Sequence, residues 1–233
     1  MDETTSDSRT IARKSALVIG NANYIDGLPR LATPVSDSRA IASALTKCGC
    51  GVTHKSDISR EQLAETLGDL ARASPHSDLS ILYFSGSGFM YDGQSYIVPV
   101  DATVHSPASA VSLAELLTAM QGAQTKVLIL DTCQESIDPP KGEAVRLPTA
   151  LPPGALVVFS AEPNSKAMDR LRAEDVHSPF AIAVLERIQD PGLELRVLFD
   201  QVRDAVRKRT RGEQQPMILS TLQGARDFWL ASR

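Results

Sequence analysis

The sequence predicts an α/β domain: a three-layer α/β/α sandwich built on a mostly parallel sheet of about six strands. Three observations lead there. Short β-rich apolar runs alternate with helix-period segments along nearly the whole chain. The run Asp78–Phe84 is apolar almost throughout, as a central strand covered on both faces must be. Finally, 233 residues, 42% of them apolar and 22% charged, suffice to bury one sizeable core.

In chain order, Ser15–Gly20 reads as the first strand, and Val35–Lys47 as a helix with Ile41, Ala44 and Leu45 at core spacing. Gly51–His54 is a short strand, Ser59–Ala73 an amphipathic helix, and Asp78–Phe84 the central strand. Phe89–Val98 predicts a hairpin turned at Asp92-Gly93, a dipeptide suited to a two-residue loop. Ser112-Leu-Ala-Glu115 is a capping box that opens a helix running to about Gln121. Lys126–Asp131 and Ala155–Ser160 are strands. Between them Gln134–Pro153, rich in Pro, Glu, Lys and Gly, predicts a long irregular connection. Two helices, near Pro179–Gln189 and Glu194–Arg209, and a strand near Met217–Thr221 complete the pattern.

Composition excludes several functions. A net charge of -4 supplies no electrostatic basis for nucleic acid. The longest apolar runs, Leu79–Phe84 and Ala155–Phe159, fall far short of a membrane span. Met1–Thr10 is polar and acidic, without a signal-peptide core, and residues 1–12 read as a disordered tail. Three cysteines, two of them in Cys48-Gly-Cys50, do not make a disulfide framework, so a reducing cytoplasm is expected. Cys48, Cys50 and His54 lack a fourth ligand at zinc spacing, so no metal is expected. His76, His105 and His177 fall in expected loops and should be exposed. The basic run Arg203–Arg211, interleaved with Val202, Ala205 and Val206, reads as the solvated face of a helix.

Two strand ends carry the chemistry. Ser85-Gly-Ser-Gly88 follows one buried strand, and Asp131-Thr-Cys133 follows another. Catalytic and binding groups of open α/β sheets collect at the carboxyl ends of neighbouring strands. Cys133, in a polar turn, is a nucleophile if a base or positive field lowers its pKa, and otherwise a small buried hydrophobe.

The order of the pieces resembles the caspase superfamily, in its bacterial metacaspase-like or orthocaspase-like branch. The resemblance is carried by Ala16–Asn21, Leu31–Ile41, Tyr83–Gly88, Tyr96–Ala102, Leu128–Cys133, Ser178–Phe180 and Asp227–Trp229, in that sequence. It implies one domain over residues 13–233, with a large-subunit-like part at 14–135, a connecting loop at 136–153 and a small-subunit-like part at 154–233. It implies that Cys133 is the nucleophile and that the backbone N–H groups of Gly88 and Cys133 are oxyanion donors. Asp37 and Asp131 resemble the acid pair that receives a P1 arginine or lysine, and Ser160 joins them as a substrate-binding residue. Lys166, in a segment that borders the specificity pocket in the family, either pairs with one of the acids or is simply solvated, the commoner case for a lysine. The implied partners are a peptide or protein segment containing Arg or Lys, and an active caspase-like relative. No cofactor is implied.

One position departs from the family. A histidine between two glycines is its general base, and here Gly86-Ser87-Gly88 carries serine. A hydroxyl does not titrate near neutrality. The preferred expectation is therefore a pseudo-protease in a regulatory or scaffolding role. The alternative is an active Arg/Lys-directed cysteine endopeptidase, with Ser87 either an introduced substitution or bypassed by another base such as His105 or His177.

Overall fold

The computed structural model describes residues 13–25, 27–103, 106–132, 151–163, 165, 167–223 and 228–231. The tail 1–12, Cys133, most of the 136–153 connection, His105 and Lys166 lie outside the described residues. Nine strands and five helices are described: β1 Lys14–Gly20, α1 Pro34–Lys47, β2 Gly51–Ser56, α2 Arg60–Ala73, β3 Leu79–Ser85, β4 Gly88–Tyr91, β5 Gln94–Ile97, β6 Val111–Ser112, α3 Leu113–Ala119, β7 Thr125–Asp131, β8 Ala155–Phe159, α4 Pro179–Leu185, α5 Leu195–Arg209 and β9 Met217–Ser220.

Six strands form the main sheet in the order β2-β1-β3-β7-β8-β9, parallel except for β9, which runs antiparallel to β8. All seven residues of β3 are buried, and so are all seven of β7, which explains their continuous apolar reading. Side chains alternate between the two faces. Val18, Ile81, Ile129 and Val158 meet Ile41 and Leu45 of α1, Phe180 of α4 and Phe199 of α5. Leu17, Leu82, Leu128 and Val157 meet Leu63 and Leu67 of α2 and Leu116 of α3 on the other face. This is the sandwich expected from the sequence.

Local signals set the boundaries. The Ser112–Glu115 capping box forms as predicted: the Glu115 N–H donates to Ser112 Oγ (3.2 Å) and the Ser112 N–H to Glu115 Oε2 (2.8 Å). A second box, Ser59 with Gln62, opens α2. Asp92 (φ 46°) and Gly93 (φ 69°) turn the β4–β5 hairpin. That hairpin does not join the main sheet. With β6, a two-residue strand too short to be read from the sequence, it makes a separate three-stranded sheet. Asn21 ties that sheet to the end of β1, because its side chain accepts from the Ile58 N–H (3.1 Å) and donates to the Val98 carbonyl (3.2 Å). No described helix is long and apolar enough to cross a membrane.

Candidate functional site

β3 and β7 are neighbours, with Ser85 in register with Asp131, so the two chemistry-bearing turns leave the sheet side by side. The Gly86 N–H donates to the Asp131 carbonyl (3.2 Å), extending the ladder one step beyond the strands. The small residues of Gly86-Ser87-Gly88 are forced by packing. A Cβ on Gly86 would lie 2.6 Å from Tyr24 Oη and 2.9 Å from Phe84 Cζ. One on Gly88 would lie 2.9 Å from Thr132 Cβ, so the Ser87 turn is packed against the residue that precedes Cys133.

Ser87 is half-buried and held on two sides. Its N–H donates to Tyr24 Oη (2.6 Å), and its carbonyl accepts from the Val98 N–H (3.1 Å). Burial raises the Tyr24 phenol above the useful range despite these contacts, so Tyr24 stays neutral and supplies no base.

The acids converge on the other side of the turn. Asp131, the last residue of β7, lines a small cleft together with Ser85, Gly86, Thr132, Asp169 and Ser178. The Ser178 hydroxyl donates to Asp131 Oδ2 (2.6 Å) while accepting from the Ala181 N–H (2.9 Å) as the cap of α4. Asp37, in the first turn of α1, is fully buried behind this layer. It accepts from the Ser178 N–H at 3.3 and 3.4 Å, and its Oδ1 lies 2.7 Å from His177 Nδ1, so the two share a proton.

Burial pushes both carboxyls up to about 7, with Asp37 adding repulsion at Asp131 and hydrogen bonds from Ser178 pulling the other way. Asp37 therefore occupies the same constellation as Asp131 without opening onto the cleft surface. Ser160 is also fully buried. Its hydroxyl supports Asp131 and reaches the Thr132 carbonyl (3.5 Å) from behind.

Two side chains have surroundings that the sequence did not announce. Asp169 faces the cleft from the loop after β8, where its carboxylate accepts from the Ala32 N–H (2.7 Å), the Thr33 N–H (3.0 Å) and Thr33 Oγ1 (2.8 Å). Only the fold brings it beside Asp131. His177 is the second. Expected to be exposed, it is half-buried on Asp37, and burial lowers its pKa. Ser178 had a legible signal, Ser-Pro ahead of an apolar run, which marks a helix cap.

Cys48 and Cys50 are both buried, and burial raises both thiols, Cys50 to about 11, so neither is a nucleophile. Among the described residues no group of three His, Cys, Asp or Glu is arranged to hold a metal ion.

The chain is 27% identical over 229 residues to the mucosa-associated lymphoid tissue lymphoma translocation protein 1 of Homo sapiens, covering 94% of this chain and 27% of that protein. It is 27% identical over 218 residues to the homologue from Mus musculus, covering 90% of this chain and 26% of that protein. It thus spans about a quarter of the length of these curated relatives. Residues 13–225 match the caspase domain, which takes in every element described above, and the chain belongs to that family of peptidase domains.

Proposed function

We propose that this caspase domain is catalytically silent and holds an arginine or lysine side chain of a peptide in its acid cleft without cutting the backbone. It then serves as a regulatory or scaffolding module, beside an active relative. The observation that carries this reading is Ser87: the base position is a serine, while the acids that would receive a cation remain grouped at the cleft floor. The resemblance of the Leu31–Ile41 and Leu128–Cys133 blocks to the metacaspase-like branch, and the place of Asp131 and Asp169 at one cleft, support an acid pocket of this type.

In an active site of this family the thiolate attacks the scissile carbonyl carbon, and the carbon–nitrogen bond breaks as the imidazolium protonates the leaving amine. With serine at 87, the Cys133 thiol is only a few per cent ionised at neutral pH, and the amine leaves without an acid. By analogy with serine proteases, losing such a member costs roughly three to six orders of magnitude in rate. Binding is less affected. A guanidinium entering between Asp131 and Asp169 meets carboxylate oxygens it can bridge with paired hydrogen bonds. It also displaces protons, since Asp131 and Asp37 titrate near 7.

The test is Ser87→His, assayed on short fluorogenic peptides ending in Arg, Lys, Asp or Leu. Cleavage after Arg or Lys should rise at least about a hundredfold, the lower end of general-base contributions. Ser87→His/Cys133→Ala should be inactive. Strong cleavage by the unmodified chain would overturn the silent reading. It would favour the endopeptidase with another base, for which His177, paired to Asp37 and adjacent to the cleft residue Ser178, is the described candidate.

A further inference from the structure

Beside the acid cleft lies a wider groove of opposite charge. Arg170, Arg172, Arg209 and Arg211 contribute to its walls. Met168 and Asp169 line both the groove and the cleft, so the two are contiguous. We propose that the groove receives an acidic side chain of the same peptide whose arginine or lysine enters the cleft, so that the ligand carries an acid and a base a few residues apart. The proposal rests on the reading of the cleft given above.

Local sequence fixes the groove. One wall is the 168–172 loop and the other is the turn that ends α5. Gln214, fully buried, joins them: its Oε1 accepts from the Met168 N–H (3.1 Å), and its Nε2 donates to the Ser160 carbonyl (2.8 Å). The Glu162 N–H adds a bond to the Gln215 carbonyl (2.7 Å). Arg211 sits in the left-handed region (φ 54°), followed by Gly212 (φ 84°), whose N–H donates to the Arg207 carbonyl (2.7 Å). This turn presents Arg211 at the end of the helix instead of along its solvated face.

Charge bookkeeping favours an anion. Four guanidinium groups face two carboxylates, Asp169 and Glu213, which leaves the cations in excess. Arg209 is paired with Glu186 (2.8 Å), and Arg170 donates to the Ala173 carbonyl (2.9 Å). Arg172 and Arg211 are exposed and make no ion pair among the described residues. Two free forks at one groove in a chain of net charge -4 form a local positive field suited to a carboxylate. An extended peptide advances about 3.3 Å per residue, so a side chain a few positions from the basic residue reaches the neighbouring groove. A polyanion such as nucleic acid is disfavoured by the acids that line the adjoining cleft.

Fluorescein-labelled peptides read by anisotropy test the proposal. One set carries a central Arg with Glu or Gln two to four residues before it. A second set carries them after it, and a third replaces the Arg with Gln. On the unmodified chain at low salt, Glu should tighten binding of the Arg peptide about tenfold over Gln, in one direction only, with the gain shrinking at physiological salt. In Arg172→Ala/Arg211→Ala, with circular dichroism unchanged, the Glu-to-Gln ratio should fall to about one. If the Arg peptides bind and Glu gains nothing on either side, the groove assignment fails and the cleft reading stands. If Arg binds no better than Gln at the centre, the cleft reading itself fails. Equal gains on both sides, or a gain that survives in the double variant, would show plain charge attraction and overturn the groove.

Discussion

Asp131→Asn should make this domain more stable at alkaline pH while removing its capacity to hold a cation. The Asp131 carboxyl rises from an ordinary 3.8 to about 7, chiefly because burial disfavours its charged form. A folded-state value above the unfolded one means the carboxyl contributes its full stability below about pH 4. That contribution is lost as pH climbs through 7. At about 1.36 kcal/mol per unit, the loss between pH 5 and pH 8 amounts to roughly 2–3 kcal/mol. Asparagine does not ionise, and its Oδ1 still accepts from the Ser178 hydroxyl that now bonds Asp131. It also relieves the repulsion between Asp131 and Asp37.

Thermal or urea melts of both proteins at pH 5, 6, 7 and 8 supply the test. The stability of the variant minus that of the parent should grow by about 2–3 kcal/mol from pH 5 to 8. This corresponds to roughly 5–10 °C in midpoint for a chain of this size. His177, held low by burial, contributes with the opposite sign, gaining stability as pH rises towards its ordinary 6.5, but it is common to both proteins and cancels. Parallel curves across the range would refute the reasoning, since they would mean the carboxyl ionises in place without penalty.

Three further outcomes follow from the site. Tyr24→Phe removes the acceptor of the Ser87 N–H and should cost about 1–3 kcal/mol, read as a lowered melting midpoint. Gly86→Ala places a Cβ 2.6 Å from Tyr24 Oη and 2.9 Å from Phe84, an overpacking that should cost about 1–3 kcal/mol in the same assay. The Cys133 thiol, lacking an imidazolium neighbour at position 87, should be alkylated by iodoacetamide with a midpoint near pH 8.5; a midpoint well below 7 would reveal another activating group.

The sheet was legible because its strands are short, apolar and separated by turn chemistry, and the capping box and the Asp92-Gly93 turn were legible because their signals are local. Less visible were features created by long-range packing. β6 is two residues long and exists only as a partner of β5. Asp169 is an ordinary loop aspartate until the fold lays it against Thr33, 136 positions earlier in the chain. His177 reads as a surface loop residue because nothing nearby in sequence announces Asp37, 140 positions away. Asp37 and Ser160 are expected at the site from resemblance alone, which says nothing of depth, and both are fully buried.

The place of β8 has a consequence for how the chain could be divided. β8 enters the sheet directly beside β7, with Lys126–Leu130 paired to Ala155–Phe159. The residues after it supply α4 and α5, whose Phe180, Leu198 and Phe199 share one core with Val127 and Ile129. The C-terminal part is therefore fastened by a hydrogen-bonded ladder and a buried apolar face, neither of which depends on backbone continuity between Thr132 and Leu151. Two polypeptides, one ending and the other beginning within that interval, are expected to reassemble the sheet when co-expressed, a result that co-purification of the two would check. Their association would be opposed mainly by the entropy of bringing two chains together.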